Sequence, residues 1–256
     1  MVNNSIQQIP EKKIFYDSGQ SWLNANRIYL NENLYINIPT VREILDHEQF
    51  YLGLVTALTS TPYQYMAQLD DMGIDYETLS DYQFFSLMFI LNSTNDLSLV
   101  FGDLKTQGYS IIPNDFNNTT VLFNPELGND YIIDELLYTN IAKTIRKINN
   151  IEEVHCKAGN AEAKAYLLKK EKRKLRRNAN KPYNKYFEKM VIALVNRPEF
   201  KYNYEDVMDL SIYKFNQSVQ QIRTSITFDN TMIGVYAGTV DPTKMVDKSS
   251  LSWIQN

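Results

Sequence analysis

The stretch "SDYQFFSLMFIL", residues 80–91, decides how the rest of the chain is read. Ser80 and Gln83 stand three residues apart, the capping-box spacing in which each side chain satisfies the other residue's free backbone N–H. Phe84, Phe85, Leu87, Met88 and Leu91 then put apolar groups nearly all round the helix that follows. A helix of that kind is stable only when it is enclosed, so the spacing predicts a deeply buried helix with other helices around it. Its apolar run is far too short to cross a membrane.

Outward from this helix, start and stop signals recur on both sides. Thr61-Pro62 with Gln64 opens one helix, and Gly73 ends it. Thr40 and Glu43 form another capping box, followed by Ile44, Leu45, Tyr51, Leu52, Val55 and Leu58 at helical spacing. Before it, "RIYLNENLYINIP" alternates around a polar turn and reads as a hairpin ended by Pro39. Beyond it, "YSIIP" and "TTVLF" are short β-type runs between Gly, Asn and Pro signals, a second hairpin. Asp134-Glu135 opens a helix through Ile141, Ile145 and Ile148, with Arg146 and Lys147 where the helix dipole favours cations. "YFEKMVIALVN" is a strong apolar helix stopped at Arg197-Pro198. Ile212, Phe215, Val219, Ile222 and Ile226 step by three and four, and "DNTMIGVYAG" reads as a further short helix ended by Gly238.

The expected class is therefore mainly α (α+β): a helical, bundle-like body of seven to nine helices with one or two small β-hairpins. Four segments are expected. Residues 1–26 form an N-terminal arm with an aromatic anchor at Phe15, Tyr16 or Trp22. Residues 27–150 form a helical domain with an N-terminal hairpin and a small β insertion near 105–131. Residues 151–181 are a basic helical connector, and 182–256 a C-terminal helical subdomain.

Composition bounds the function. With 256 residues, 44% hydrophobic and 22% charged, the chain can bury a sizeable core. Cys156 is the only cysteine, so no intramolecular disulfide forms. "MVNNSIQQIPEKK" lacks the apolar core of a signal peptide. A reducing compartment, the cytosol, is the expected location. No Gly-rich phosphate cradle is present, and nine dispersed glycines supply none.

The titratable groups point away from catalysis. A zinc site needs four N or S ligands, and His47, His155 and Cys156 are three. Glu152, Glu153, His155 and Cys156 are adjacent in sequence, so a helix would spread them around its axis. A Cys–His nucleophile pair would join Cys156 to His47 or His155, with no strained-turn context around it. Asp70, Asp71, Asp75 and Glu77 surround the Gly73 stop without the order of an EF-hand; such acids at a helix end are usually solvated. Glu199-Phe200-Lys201 has the acid-x-Lys form of a nuclease element but no expected strand to carry it. The expectation is no enzyme, no catalytic or metal residues and no cofactor.

One block stands out. Lys169, Lys170, Lys172, Arg173, Lys174, Arg176 and Arg177 enclose a single acid, Glu171. The block carries +6 in a chain of net charge −4, leaving −10 elsewhere. A stripe of this size is a candidate contact for nucleic-acid phosphates. Tyr166, Tyr183 and Tyr186 only flank it, and no aromatic platform interleaves. The other readings are a solvated helix, or docking onto the protein's own acidic remainder or an acidic partner. A membrane-surface role lacks the continuous apolar stripe it needs.

Three stretches carry a family resemblance: "LYINIPTVREIL" (34–45), "GIDYETLSDYQFF" (73–85) and "FKYNYEDVMDLSIYKFNQSVQQI" (200–222) with "MIGVYAGTVD" and "LSWI" after it. They resemble poorly characterised proteins of the virion-structure gene blocks of tailed phages from low-GC hosts. The strand followed by "IPTVREI" is similar to the opening segment of some tail-assembly chaperones. The resemblance touches about half the chain, excludes the basic block and brings no catalytic motif. It implies a non-enzymatic, chaperone-like or structural role in tail or baseplate assembly, through contacts with phage structural proteins. Such a role needs exposed apolar surface. Ile212, Phe215, Val219, Ile222 and Trp253 are the candidates, with ordinary core as the alternative reading.

Overall fold

The computed structural model describes residues 13–114, 119–156 and 158–254. It is mainly helical, with two small antiparallel sheets of two strands each. The first hairpin pairs β1 (Arg27–Tyr29) with β2 (Tyr35–Asn37), Ile28 opposite Ile36. Next come α1 (Val41–Asp46), α2 (Glu48–Thr59), α3 (Met66–Asp71), α4 (Asp81–Asn92) and α5 (Ser98–Phe101). The second hairpin joins β3 (Ser110–Asn114) to β4 (Thr119–Phe123). Then follow α6 (Glu135–Asn149), α7 (Ala161–Asn178), α8 (Tyr186–Val195), α9 (Tyr204–Met208) and α10 (Ile212–Tyr236). The described residues thus hold ten α-helices, more than the sequence indicated, because pieces as short as α5 and α9 leave little periodicity to read.

The apolar girdle of α4 has a simple cause: the helix lies between two cores. Phe85 and Phe89 enter the main core, where Phe89 meets Phe101 and Tyr109 edge-on at 5.4 and 5.3 Å. Phe84, on another side, enters a small second core with Met66, Leu69 and Tyr76. Leu91 is the exception; it is 61% exposed, on a side of the last turn that faces away from both cores. The Ser80–Gln83, Thr40–Glu43 and Thr61–Gln64 capping boxes all form. The hydroxyl of Tyr82 donates to the Ile133 carbonyl (2.6 Å) and accepts from the Leu122 N–H (3.2 Å), which pins the second hairpin to α4.

Two expectations change. Residues 1–12 of the expected arm lie outside the described residues, but 13–26 are built into the fold. Phe15 bridges Tyr29, and Trp22 is 3% exposed, its ring tilted against Tyr213 at 5.9 Å with the Lys147 ammonium 3.8 Å from its ring centroid. The expected pair of C-terminal helices is one helix, α10, of 25 residues. Asp229-Asn230 favours a break only weakly, and no Pro or Gly stands between Ile226 and Gly234 to enforce one. The main core is continuous: Phe187, Val191, Leu194, Phe200, Val207 and Phe215 share it with Ile28, Tyr51 and Ile145.

Candidate interaction surfaces

The basic block lies on α7, whose N-cap Asn160 accepts from the Ala163 N–H. One side of α7 is docked. Leu167 and Leu168 pack against the second core. The Lys164 ammonium contacts Asp75 and Glu77, each at 2.7 Å, and the Lys172 ammonium contacts Asp70 and Asp71, each at 2.6 Å. The acids around Gly73 are thus held by cations of α7. Lys164, just outside the block, proves to be one of the two clamps.

The other side is free. Lys169, Lys170, Arg173, Lys174, Arg176 and Arg177 are exposed, and among the described residues only Lys174 has an ion-pair partner, Glu171 at 3.2 Å. Tyr166, 68% exposed, shares a shallow cleft of about 410 Å³ with Lys169, Lys170, Arg173, Lys174 and Arg177.

The clamps set a pH window for α7. Lys164 beside it, then the Glu77 N–H, holds the Asp75 carboxyl below the usual carboxylate range. Asp75 and Glu77 raise Lys164 above the ordinary lysine value, and Asp70 and Asp71 raise Lys172. A depressed carboxyl favours docking above its unfolded pKa, about 4, and loses that contribution as pH falls through the folded value. A raised ammonium favours docking below its unfolded pKa, about 10.4, and loses it as pH rises through the folded value. Docking should therefore be insensitive to pH between those limits and weaken outside them. The double reversal Lys164→Glu with Lys172→Glu should accelerate amide exchange in 161–178 at least about tenfold at neutral pH, with exchange in α4 unchanged. Unaltered protection of α7 would show that the clamps do not hold it.

The C-terminal arm is the second surface. Ser211 caps α10, and Ile212 (3% exposed) and Phe215 (0%) sit in the core. These two interaction candidates are therefore corrected: they are covered by the protein itself because the helix enters between α8 and the first hairpin's exit, where the Ile212 N–H donates to the Pro39 carbonyl. Val219 and Ile222 are half-buried against the same core, and Trp253 is 58% exposed. From residue 217 to 254 no residue is buried. The chain turns back at Gly238 (φ 72°), and Gln221 donates to the Trp253 carbonyl at 2.6 Å, so the tail returns along α10. Gly234 permits that return, since a Cβ there would stand 2.7 Å from Val240. Ile233, Tyr236, Val246 and Ile254 remain largely exposed. The only charges on α10 are Lys214, Arg223 and Asp229. At the root of the arm an open groove of about 960 Å³ is lined by Leu23, Phe200, Tyr202, Lys214 and Ile222 among others.

The titratable candidates do not form one centre. A cleft of about 420 Å³ holds His155, Cys156, Tyr63, Glu77 and Asp81, with His155 3.8 Å from Asp81 and 3.4 Å from Glu153. The hydrogen bond with Cys156, then burial, raises the Tyr63 phenol. His47 is elsewhere, between α1 and α2. Glu153 also pairs with Arg146 at 2.5 Å. Among the described residues no group of three His, Cys, Asp or Glu is arranged to hold a metal ion. Glu199 pairs with Arg197 in a turn, and Phe200 between it and Lys201 is core. No helix of the described residues is long and apolar enough to cross a membrane.

Two residues tie these surfaces to the body and escaped sequence reading. Glu48, 6% exposed, accepts from the Phe187 and Glu188 N–H groups at 3.0 and 3.2 Å and from the Tyr183 hydroxyl at 2.8 Å. It caps α8, whose own N-cap, Lys185, makes no side-chain capping bond. That missing local cap was the available signal. Arg146, expected only as a dipole partner, is buried and donates twice to the Thr59 carbonyl at 3.2 and 2.6 Å. Substituting Arg146→Met should cost about 2–3 kcal/mol in urea unfolding, because that carbonyl is left without a donor. An unchanged midpoint would mean water replaces the guanidinium.

Residues 178–256 match the family model of the YomV second domain. YomV is a Bacillus phage SPbeta-region protein, so residues 178–256 are similar to a phage-associated domain. The matched part begins at the last residue of α7 and takes in α8, α9, α10 and the returning tail. No curated protein and no solved structure matches the chain.

Proposed function

We propose that this chain is a phage-related, non-enzymatic structural or assembly protein, acting through protein–protein contacts made by its C-terminal arm. The partners of this reading are phage structural proteins of the tail or baseplate, met in the host cytoplasm or in the particle. The observation that carries it is the arm itself: from 217 to 254 nothing is buried, and the last seven residues of α10, Asn230–Tyr236, carry no charge. An isolated helix gains little from propensity alone and is normally held by burying one face. Few charges with exposed aromatic and aliphatic groups is the composition of an interface core. The family match covers this same arm.

The test is affinity capture from phage-producing cells, with the tagged chain compared with its Ile233→Glu, Tyr236→Glu variant. Both side chains are largely exposed, so the substitutions should leave stability within about 0.5 kcal/mol. The wild type should retain virion proteins, and the variant at least about tenfold less of them. Capture of no virion component by the wild type, or equal capture by both, would remove this reading.

A further inference from the structure

The seven cations of the basic block serve two different purposes, and α7 sorts them by side. At 3.6 residues per turn, Lys164, Leu168, Lys172 and Leu175 point one way, toward the body or along its margin. Lys169, Lys170, Arg173, Lys174, Arg176 and Arg177 fall within about 160° centred on Tyr166, on the side away from it. The acids of residues 70–77 are already taken by Lys164 and Lys172, so they do not neutralise this outer face. Glu162, one turn before Tyr166, is the carboxylate on this face, and Glu171, turned toward the body side, pairs with Lys174. The face is therefore strongly cationic on an otherwise acidic protein, held rigidly by a helix clamped from behind.

We propose that this outer face of α7 is a binding site for the phosphate backbone of single-stranded nucleic acid. Three of its six cations are guanidinium groups, whose planar forks match phosphate oxygens. Tyr166 follows the same stripe as Lys170, Arg173 and Arg177, at intervals of four, three and four, and offers an exposed ring for an unpaired base. From Tyr166 to Arg177 the stripe runs about 16 Å along the axis, long enough for several nucleotides of one strand. An acidic peptide would use the charge but leave the ring and cleft unexplained. This site lies before the family-matched segment and on a different surface from the C-terminal arm, so it stands or falls separately from the proposed protein contacts.

The experiment is fluorescence anisotropy of the full chain with three probes: a labelled 20-nucleotide single-stranded DNA, its duplex, and a poly-glutamate peptide of equal charge. The single strand should bind more tightly than the duplex or the peptide. Its log affinity should fall against log salt with a slope of about −3 to −4, as four to six neutralised phosphates require. The reversal Lys170→Glu, Arg173→Glu, Arg177→Glu should weaken binding at least about a hundredfold with an unchanged circular dichroism spectrum, since none of the three touches the body. Tyr166→Ala should lower affinity about fivefold or more at unchanged salt slope, because it removes stacking and no charge. No binding at low salt, binding indifferent to the reversal, or a preference for poly-glutamate or duplex would each overturn the proposal.

Discussion

Replacement of Phe215 by alanine should cost about 3–5 kcal/mol of folding stability, a large fraction of the about 5–15 kcal/mol that a domain commonly has. Phe215 is 0% exposed and meets Phe187 edge-on at 5.4 Å, so the ring joins the first turn of α10 to α8 inside the main core. The site has little room to collapse. Backbone bonds fix the chain just before it, with the Val41 N–H donating to the Leu210 carbonyl and the Ile212 N–H to Pro39. A void left there therefore persists, and its cost adds to the lost transfer energy of the ring. Trp253→Ala is the matched control. Trp253 is 58% exposed, and its backbone carbonyl, which alanine keeps, makes the bond to Gln221. It should shift stability by no more than about 0.5 kcal/mol. Urea unfolding followed by circular dichroism measures both. Similar losses in the two variants would mean that the core does not end within α10 where the structure ends it.

That pair of substitutions also marks what local sequence could and could not convey. Helix caps and tight turns are written within four residues, so the Ser80–Gln83, Thr40–Glu43 and Thr61–Gln64 boxes and both hairpins were legible. The all-round apolarity of α4 was legible as burial, though not as burial between two cores, because Phe84 and Phe85 look alike until Met66 and Tyr138 are placed. The periodicity from Ile212 to Ile226 was legible as a helix, but period alone cannot tell a stripe that meets the core from one that outruns it. Phe215 and Ile226 are equivalent in the pattern, and only the first is covered. The basic block was legible as charge. Its division needed the meeting of Lys172 with Asp70 and Asp71, about a hundred residues upstream, which no local rule supplies.

Glu48 is the sharpest case of such a distant partner, and its removal should be the second large effect. Alanine at 48 strips the caps from the Phe187 and Glu188 N–H groups and the acceptor from the Tyr183 hydroxyl. An ordinary lost N-cap costs about 1 kcal/mol, hydrogen bonds to a charged acceptor about 1.5–3, and a buried carboxylate also answers the positive end of the helix dipole. These contributions overlap, so the expected total is about 3 kcal/mol, with Tyr183→Phe costing about 1. Glu48→Gln should fall between, since its amide nitrogen turns a donor toward a donor. The loss should also be local before it is global: trypsin should cut after Lys185 and Lys189 faster in Glu48→Ala than in wild type, because α8 frays from the end that Glu48 holds. The Tyr183 phenol, pushed up to about 12 by burial and then by Glu48, adds a sign that can be checked. A phenol raised in the folded state stabilises it fully below its unfolded pKa of about 10, and that contribution is lost as pH rises from there toward the folded value. Wild type should thus lose stability above pH 10 more steeply than Tyr183→Phe does. If Glu48→Ala unfolds at the wild-type midpoint with α8 no more open to protease, the matched C-terminal segment is not anchored to the body through this carboxylate.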